Sequence, residues 1–259
     1  MMKTSFKKMF HLMTTALVLS TPLTVYAEDS PHEFSANVAI STDYRFRGIS
    51  QTTKDPAISG GFGYSYTPIG FYASVWASNL DFGEPTNGPG SVNDTADMEI
   101  DFIGGFAGEF PMGVGWDIGG LYYYYPGSDT GSYANDYDYF EVYGSLSYDF
   151  TKFNVKGGLA YSPDYFAESG DSIYLYGDVG VPLPVGGLNL AGHVGQQWID
   201  DNATFGTPDY LDWKIGLSKE IKQFTFDISY VDTDLSDGEC FGGSDFCDAT
   251  AVFTVSASF

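Results

Sequence analysis

The sequence predicts an all-β fold, a transmembrane antiparallel up-and-down β-barrel of about 12 strands. Three features predict it: extended segments that alternate apolar and polar residues, connections that are short and long in turn, and an aromatic-rich last segment that ends on Phe259. Aromatic residues make up 17% of the chain and glycine 32 of its 259 residues, as suits a barrel with rings at the membrane interfaces. A soluble β-sandwich is the alternative, because it would bury the same apolar faces between two sheets.

Segments of about 10 to 13 residues follow the two-residue period of β-strands along most of the chain. A strand of about 12 residues rises roughly 28 Å at a tilt of about 45°, enough to cross the apolar band of an outer membrane. The predicted strands cover residues 34–46, 56–67, 71–80, 97–109, 115–125, 137–149, 153–162, 172–182, 188–199, 209–219, 223–233 and 249–259. Because this number is even, both ends of the chain are expected on the periplasmic side.

The connections between these segments alternate in length and composition. Short turns include Thr67-Pro68-Ile69-Gly70, in which proline presets one turn dihedral and glycine relaxes another. The longer connections, rich in Asp, Gly, Ser and Asn, are 82–95, 126–136, 163–171, 200–208 and 234–248. Short periplasmic turns and long outer loops are typical of bacterial outer-membrane barrels.

Residues 1–27 have the pattern of a secretory signal peptide. Lys3, Lys7 and Lys8 precede an apolar run, and cleavage is expected between Ala27 and Glu28. A transmembrane anchor is the alternative, but the apolar run is shorter than the roughly 20 residues that a spanning helix needs. The barrel is therefore expected to occupy residues 28–259 and to lie in the bacterial outer membrane.

The exported chain is strongly acidic. Loss of the three signal lysines leaves 8 basic residues against 34 acidic ones, a formal net charge of −26. This charge argues against nucleic acid as a partner, since phosphates would be repelled. The two cysteines, Cys240 and Cys247, lie in the last acidic loop, and an oxidising compartment favours a disulfide between them. A metal site would need further Cys or His nearby, so neither a metal nor a cofactor is predicted.

The last strand carries a predicted assembly signal. Phe253, Val255 and Phe259 share one face of the segment ATAVFTVSASF, as in terminal strands that the barrel-assembly machinery recognises. The other expected partners are outer-membrane lipid and lipopolysaccharide, together with small solutes or ions.

Alternation assigns a set of charged side chains to the inside of the barrel, because the apolar faces are expected to meet lipid. They are Asp43, Arg45, Arg47, Glu99, Asp101, Asp117, Glu141, Lys156, Asp178, Asp212, Lys214 and Asp227. Eight acids against four bases give a net negative wall, and rings of carboxylates favour cations. The sequence thus predicts a weak preference for cations. The alternative is that these charges pair across the lumen and fill it.

On the first predicted strand, Asp43, Arg45 and Arg47 form a charge ladder at alternate positions, with Tyr44 and Phe46 on the apolar side. The ladder is either a constriction or a salt-bridge network near the barrel rim, and abundant acidic neighbours favour the network.

His193 falls on an inward-facing set, but no Ser or Cys partner for hydrolysis can be placed beside it. A hydrogen-bonded lumen residue is the favoured interpretation, so no catalytic residue is assigned and no enzyme is predicted. A lipid-modifying enzyme remains the alternative of a different class.

Residues 41–51 read STDYRFRGISQ, and Asp55-Pro56-Ala57 follows. This segment closely resembles the opening motif of the TorF family of porins, also described as the Gcw_chp family of conserved proteobacterial outer-membrane proteins. Further blocks that look like the family are VWASN at 75–79, EIDF at 99–102, YYYYPG at 122–127, LDWKIGLSK at 211–219 and YVDTD at 230–234. The resemblance covers nearly the whole chain after the signal and implies an outer-membrane barrel of unsettled transport role, with no catalytic residues to carry over. The cysteine-bearing loop at 237–248 matches no block of the family.

The predicted function is a porin-like channel for passive diffusion of small hydrophilic solutes or ions. The alternative is a narrow or plugged barrel that acts structurally or binds through its loops, because a lumen of 12 strands has intermediate width. Inward tyrosines such as Tyr139, Tyr143, Tyr174 and Tyr176 would contribute to such a blockage.

Overall fold

The computed structural model describes residues 30–82, 96–128 and 136–259. The predicted signal peptide at 1–27 lies outside these residues, as do most of the predicted loop at 82–95 and much of the one at 126–136. In the described ranges, twelve strands close into an antiparallel barrel in which each strand pairs with its neighbours along the chain. The predicted fold class is confirmed.

The strand bounds follow the sequence pattern closely. The strands are β1 His32–Ser41, β2 Arg45–Phe46, β3 Ile49–Ser50, β4 Ala57–Tyr66, β5 Phe71–Asn79, β6 Met98–Glu109, β7 Val114–Tyr124, β8 Tyr139–Asp149, β9 Asn154–Ser162, β10 Ser172–Pro182, β11 Leu188–Ile199, β12 Tyr210–Ile221, β13 Phe224–Thr233 and β14 Thr250–Ser258. Within the described ranges, helical structure is limited to α1, Asn202–Phe205, and to 3₁₀ turns at Thr67–Ile69, Phe166–Glu168 and Asp237–Glu239. No helix of the described ranges has the length and apolar character needed to cross a membrane.

The barrel closes between its first and last strands. β1 pairs with β4 on one side and with β14 on the other. The backbones of Ala36 and Phe259 exchange two hydrogen bonds, each 2.9 Å long. Closure leaves no unpaired strand edge among the barrel strands, which is what an apolar environment requires of a sheet.

The two faces of the wall differ as the two-residue period predicts. Large apolar side chains face outward, among them Phe62, Ile118 and Ile228, which are 58%, 57% and 55% exposed. The inward positions carry Gly, Ser, Tyr and charged residues. We call the end with the five short turns the turn end, and the opposite end the loop end.

Inward tyrosines lie over inward glycines of the adjacent strand. Tyr72 is paired with Gly105, and Tyr143 with Gly119. A Cβ atom at either glycine would lie 2.5 Å from the tyrosine hydroxyl that covers it. The abundance of both residue types therefore has one cause, because each ring needs a neighbour without a side chain.

The first predicted strand is wrong beyond Ser41. β1 ends there, and residues 42–56 turn into the barrel instead of continuing along the wall. Tyr44 and Phe46, predicted to face lipid, therefore lie inside, with Tyr44 only 7% exposed. The charge ladder on a spanning strand is likewise wrong, since Asp43, Arg45 and Arg47 belong to this inward segment.

Candidate functional site inside the barrel

A two-stranded hairpin made by β2 and β3 projects into the loop end of the barrel. We call residues 45–50 the plug hairpin. Phe46 pairs with Ile49, so the hairpin turns on Arg47 and Gly48. Both residues have positive φ, 46° and 82°, as a type I′ turn requires. This turn directs the Arg47 side chain into the barrel.

Arg47 forms a buried ion pair with the barrel wall. Its Nη2 donates to both carboxylate oxygens of Glu141 on β8, at 2.8 and 2.7 Å. Its Nη1 donates to Gln197 Oε1 on β11 at 2.7 Å. The guanidinium is thus bound by two wall strands at once, with one terminal nitrogen at the Glu141 carboxylate and the other at Gln197.

Aromatic rings surround the same guanidinium. Its central carbon lies 4.2 Å from the ring centroid of Tyr174, 4.7 Å from that of Phe46 and 5.8 Å from that of Tyr165. Burial alone lowers the pKa of Arg47, but the Glu141 carboxylate and the neighbouring tyrosines together outweigh it, so the pKa lies well above its usual value. Arg47 is therefore a fixed positive charge in an aromatic, acidic pocket.

The base of the plug hairpin is bound by the disulfide loop. Arg45 Nε donates to Asp43 at 2.6 Å, and its Nη1 donates to the backbone carbonyl of Phe246 at 2.7 Å. The backbone N–H of Ser50 donates to the same Phe246 carbonyl at 2.9 Å. Cys240 and Cys247 are joined as predicted, so a covalent loop holds this carbonyl in place.

The wall residues at the level of the plug hairpin are almost free of solvent. Those from β5 to β13 that are at most 5% exposed include Trp76, Glu99, Tyr123, Glu141, Tyr174, Gln197, Tyr210 and Thr233. Inward side chains from around the wall and the hairpin at the centre therefore pack into one layer. This layer blocks the loop-end half of the lumen.

A polar network lies next to that layer, toward the turn end. Tyr174 OH donates to Asp212 Oδ2 at 2.8 Å and is hydrogen-bonded to His193 Nε2 at 2.8 Å. His193 Nδ1 is hydrogen-bonded to Asp178 Oδ1 at 2.6 Å. The predicted role of His193 as a hydrogen-bonded inner residue is consistent with these contacts, which contain no Ser or Cys nucleophile.

Ionisable side chains form a row along one level of the wall. Lys156 on β9 lies directly opposite Asp178 on β10, which lies opposite His193 on β11, which lies opposite Lys214 on β12. The Lys156 ammonium is 5.5 Å from the ring centroid of Tyr176. Lys156 and Asp178 thus place opposite charges on neighbouring strands, which is a favourable cross-strand pair.

Nearer the turn end the inward side chains become partly exposed. Tyr72 OH donates to Asp117 Oδ1 at 2.6 Å and is also hydrogen-bonded to Tyr143 OH. Asp227 accepts from Ser229 Oγ at 2.5 Å. Asp117, Tyr143, Lys214 and Asp227 are all half-buried. This half of the lumen is a polar vestibule, while the loop-end half is packed.

The charged residues assigned to the lumen all lie inside the barrel, but not in one ring. Asp43, Arg45, Arg47, Glu99, Asp101 and Glu141 belong to the loop-end half, where Tyr44 OH donates to Glu99 at 2.9 Å. Asp117, Lys156, Asp178, Asp212, Lys214 and Asp227 line the middle and the vestibule. Their role in ion selection stays a prediction.

Sequence reasoning missed the plug hairpin and the partners of Arg47. An Arg-Gly pair between Phe46 and Ile49 fits a two-residue hairpin, but Asn or Asp is the usual residue before the glycine. Gln197 was not assigned a role, although it is fully buried beside Arg47.

The tyrosine run at residues 122–125 alternates between the two faces of the wall. Tyr122 and Tyr124 face outward and are exposed, whereas Tyr123 and Tyr125 face inward and are buried. Among the residues that the structure describes, no group of three or more His, Cys, Asp or Glu side chains is arranged to hold a metal ion.

Solved outer-membrane barrels share the fold. A structure of the NanC porin has a TM-score of 0.50 and 12% identity, covering 87% of this chain and 98% of that one. LpxR from Salmonella typhimurium has a TM-score of 0.48 and 9% identity, covering 87% of this chain and 99% of that one. The likeness to the NanC porin indicates a common fold and, at 12% identity, nothing about activity.

Comparison with curated protein sequences finds no match. The family described as Gcw_chp, a bacterial protein of unknown function, matches residues 26–259. Since the match covers nearly the whole chain, this protein belongs to the Gcw_chp family.

Proposed function

We propose that the protein is an outer-membrane channel for passive diffusion of small hydrophilic solutes or ions, held closed by the plug hairpin. One observation carries the proposal: an ion-paired hairpin tip occupies the loop-end half of a barrel whose other half is a polar vestibule.

The outward apolar face supports a location in the outer membrane. Ile118 lies near the middle of β7 on this face, and Ser145 of β8 faces inward at nearly the same height, opposite Asp117. Phe253, Val255 and Phe259 of the proposed assembly signal also lie on the outward side of the last strand. Lipid and lipopolysaccharide would then be the neighbours of this surface, and the barrel-assembly machinery would insert it.

We expect Ile118→Arg to destabilise the barrel in lipid by about 2–4 kcal/mol, because a cation at the bilayer midplane costs that much. Ser145→Arg is the matched control and should change stability little, since its cation would enter the lumen beside Asp117. Urea unfolding in lipid vesicles measures both variants. Equal stability of the two would contradict the outward face as the lipid-facing one.

The proposed channel prefers cations weakly. Arg45 and Arg47 pair with Asp43 and Glu141, so these four charges cancel. The remaining inward charges are acidic by six to two: Glu99, Asp101, Asp117, Asp178, Asp212 and Asp227 against Lys156 and Lys214. An excess of carboxylates along a narrow path favours cations.

The test is single-channel recording of refolded protein in a planar bilayer, on the wild type and on a variant with residues 45–50 replaced by a short Gly-Ser linker. We expect rare openings of the wild type, long openings of the variant, and a reversal potential that indicates cation preference. Clear anion preference would contradict the selectivity.

The second candidate is a closed structural or surface-binding barrel. The packing of the loop-end half favours it, because nearly all inner side chains there are buried. If the linker variant folds and does not conduct, the channel is wrong and this candidate is supported.

A further inference from the structure

The pocket that holds Arg47 is built by the barrel wall and not by the plug hairpin. Glu141, Tyr174 and Gln197 lie on β8, β10 and β11, and Tyr165 lies in the loop before β10. Only Phe46, among the rings around the guanidinium, belongs to the hairpin itself. The pocket would therefore persist if the hairpin moved away.

Other wall residues hold the pocket in shape. Tyr123 OH donates to Glu141 Oε2 at 3.1 Å, which fixes the carboxylate. Gln197 Nε2 donates to Ser172 Oγ at 2.6 Å, so its Oε1 is directed at the guanidinium. These contacts do not involve Arg47, and the acceptors are thus arranged in advance of any ligand.

The hairpin also places Arg47 in an unfavourable backbone conformation. Its φ of 46° lies in the left-handed region, which Gly, Asn and Asp adopt more easily than arginine does. The local backbone therefore does not explain an arginine at this turn. The side chain of Arg47 explains the choice of residue, because its guanidinium contacts a carboxylate, an amide oxygen and an aromatic face together.

We propose that this pocket is a binding site for guanidinium-bearing solutes, and that Arg47 occupies it as a tethered ligand while the channel is closed. A carboxylate and an amide oxygen that accept from different terminal nitrogens, together with a stacked ring, select a planar guanidinium over a spherical ammonium. A solute of this class would compete with Arg47 for Glu141 and favour release of the hairpin. The inference rests on the proposed channel function only for the route by which the solute arrives.

The test uses Arg47→Ala, which removes the ethylguanidinium group beyond Cβ, and adds propylguanidinium, which carries the same planar guanidinium on a short alkyl chain, to the purified barrel in detergent. Isothermal calorimetry should show binding to Arg47→Ala and much weaker binding to the wild type, in which the tethered Arg47 must first be displaced. Propylurea, the neutral isostere, and propylammonium, which lacks the planar fork, should bind Arg47→Ala roughly 10- to 100-fold more weakly, as expected when a hydrogen-bonded charge or its geometry is lost.

The double variant Arg47→Ala/Glu141→Gln is the matched control and should lose binding of propylguanidinium to the same extent. Equal binding of propylguanidinium and propylurea by Arg47→Ala, or no binding of either, would overturn the proposal. If Arg47→Ala does not fold, the wild type supplies the test in a planar bilayer. Replacing sodium by propylguanidinium at equal ionic strength should then raise the frequency of openings, and an unchanged frequency would overturn the proposal.

Calorimetry separates this site from the channel function. If the linker variant fails to conduct while Arg47→Ala binds propylguanidinium selectively, the channel is wrong and the binding site stands. If the linker variant conducts and Arg47→Ala does not bind propylguanidinium selectively, the proposed channel function is supported and the proposed binding site is wrong.

Discussion

Replacing Glu141 with Gln should open the channel. The substitution leaves the Arg47 guanidinium buried without its counter-charge, and breaking a buried ion pair in this way costs about 3–5 kcal/mol. Since the cost falls on the closed state, the ratio of open to closed channels should rise on the order of 100-fold or more. Single-channel recording in a planar bilayer measures this ratio directly.

Asp227→Asn is the control for this experiment. It removes the same charge from the lumen, but Asp227 lies in the vestibule, where its hydrogen bond is to Ser229 and not to the hairpin. We expect its open probability to match that of the wild type. If Glu141→Gln stays as closed as Asp227→Asn, the ion pair does not hold the hairpin.

Replacing Gly48 with Ala should prevent the hairpin from seating. Gly48 has a φ of +82°, and a Cβ atom there would lie 2.5 Å from Thr233 Cγ2 and 2.9 Å from Asp212 Cβ. The left-handed conformation costs a residue with a Cβ about 1–2 kcal/mol, and overpacking adds about 1–3 kcal/mol. We expect more frequent channel openings, measured by single-channel recording. We also expect faster proteolysis within residues 42–56, measured by mass spectrometry of the fragments.

Gly186→Ala is the matched control. Gly186 also lies in the left-handed region, with a φ of +68°, but a Cβ atom there would have no neighbour within 4 Å. It lies in the turn between β10 and β11, at the opposite end of the barrel. Both variants therefore strain the backbone, but only Gly48→Ala introduces a close contact with the barrel wall. Equal behaviour of the two variants would show that the hairpin does not need the close approach at Gly48.

The barrel strands could be predicted from the sequence because each one obeys a local rule. Ile118 and Asp117, for example, are neighbours with opposite environments, and the two-residue period assigns each to its face. Turn chemistry at Pro68 and Gly70 marks where one strand ends and the next begins. Both signals lie within a few residues of the feature they predict.

The plug hairpin could not be predicted in the same way. The alternation of β1 continues through Tyr44 and Phe46, and an apolar side chain does not reveal whether lipid or a packed interior receives it. The partner of Arg47 lies 94 residues away in the sequence, and no local pattern joins the two. Sequence reasoning therefore found both members of the ion pair as inward charges without pairing them.

The seam between the ends of the chain has a mechanical consequence. β1 is joined to β14 over five paired positions, against ten between β1 and β4. Fewer backbone bonds resist separation along that line than along the opposite side of the first strand. Lateral opening of the barrel is therefore expected first between β1 and β14. The two backbone hydrogen bonds between Ala36 and Phe259 lie at the end of this strand pair and help to hold it together.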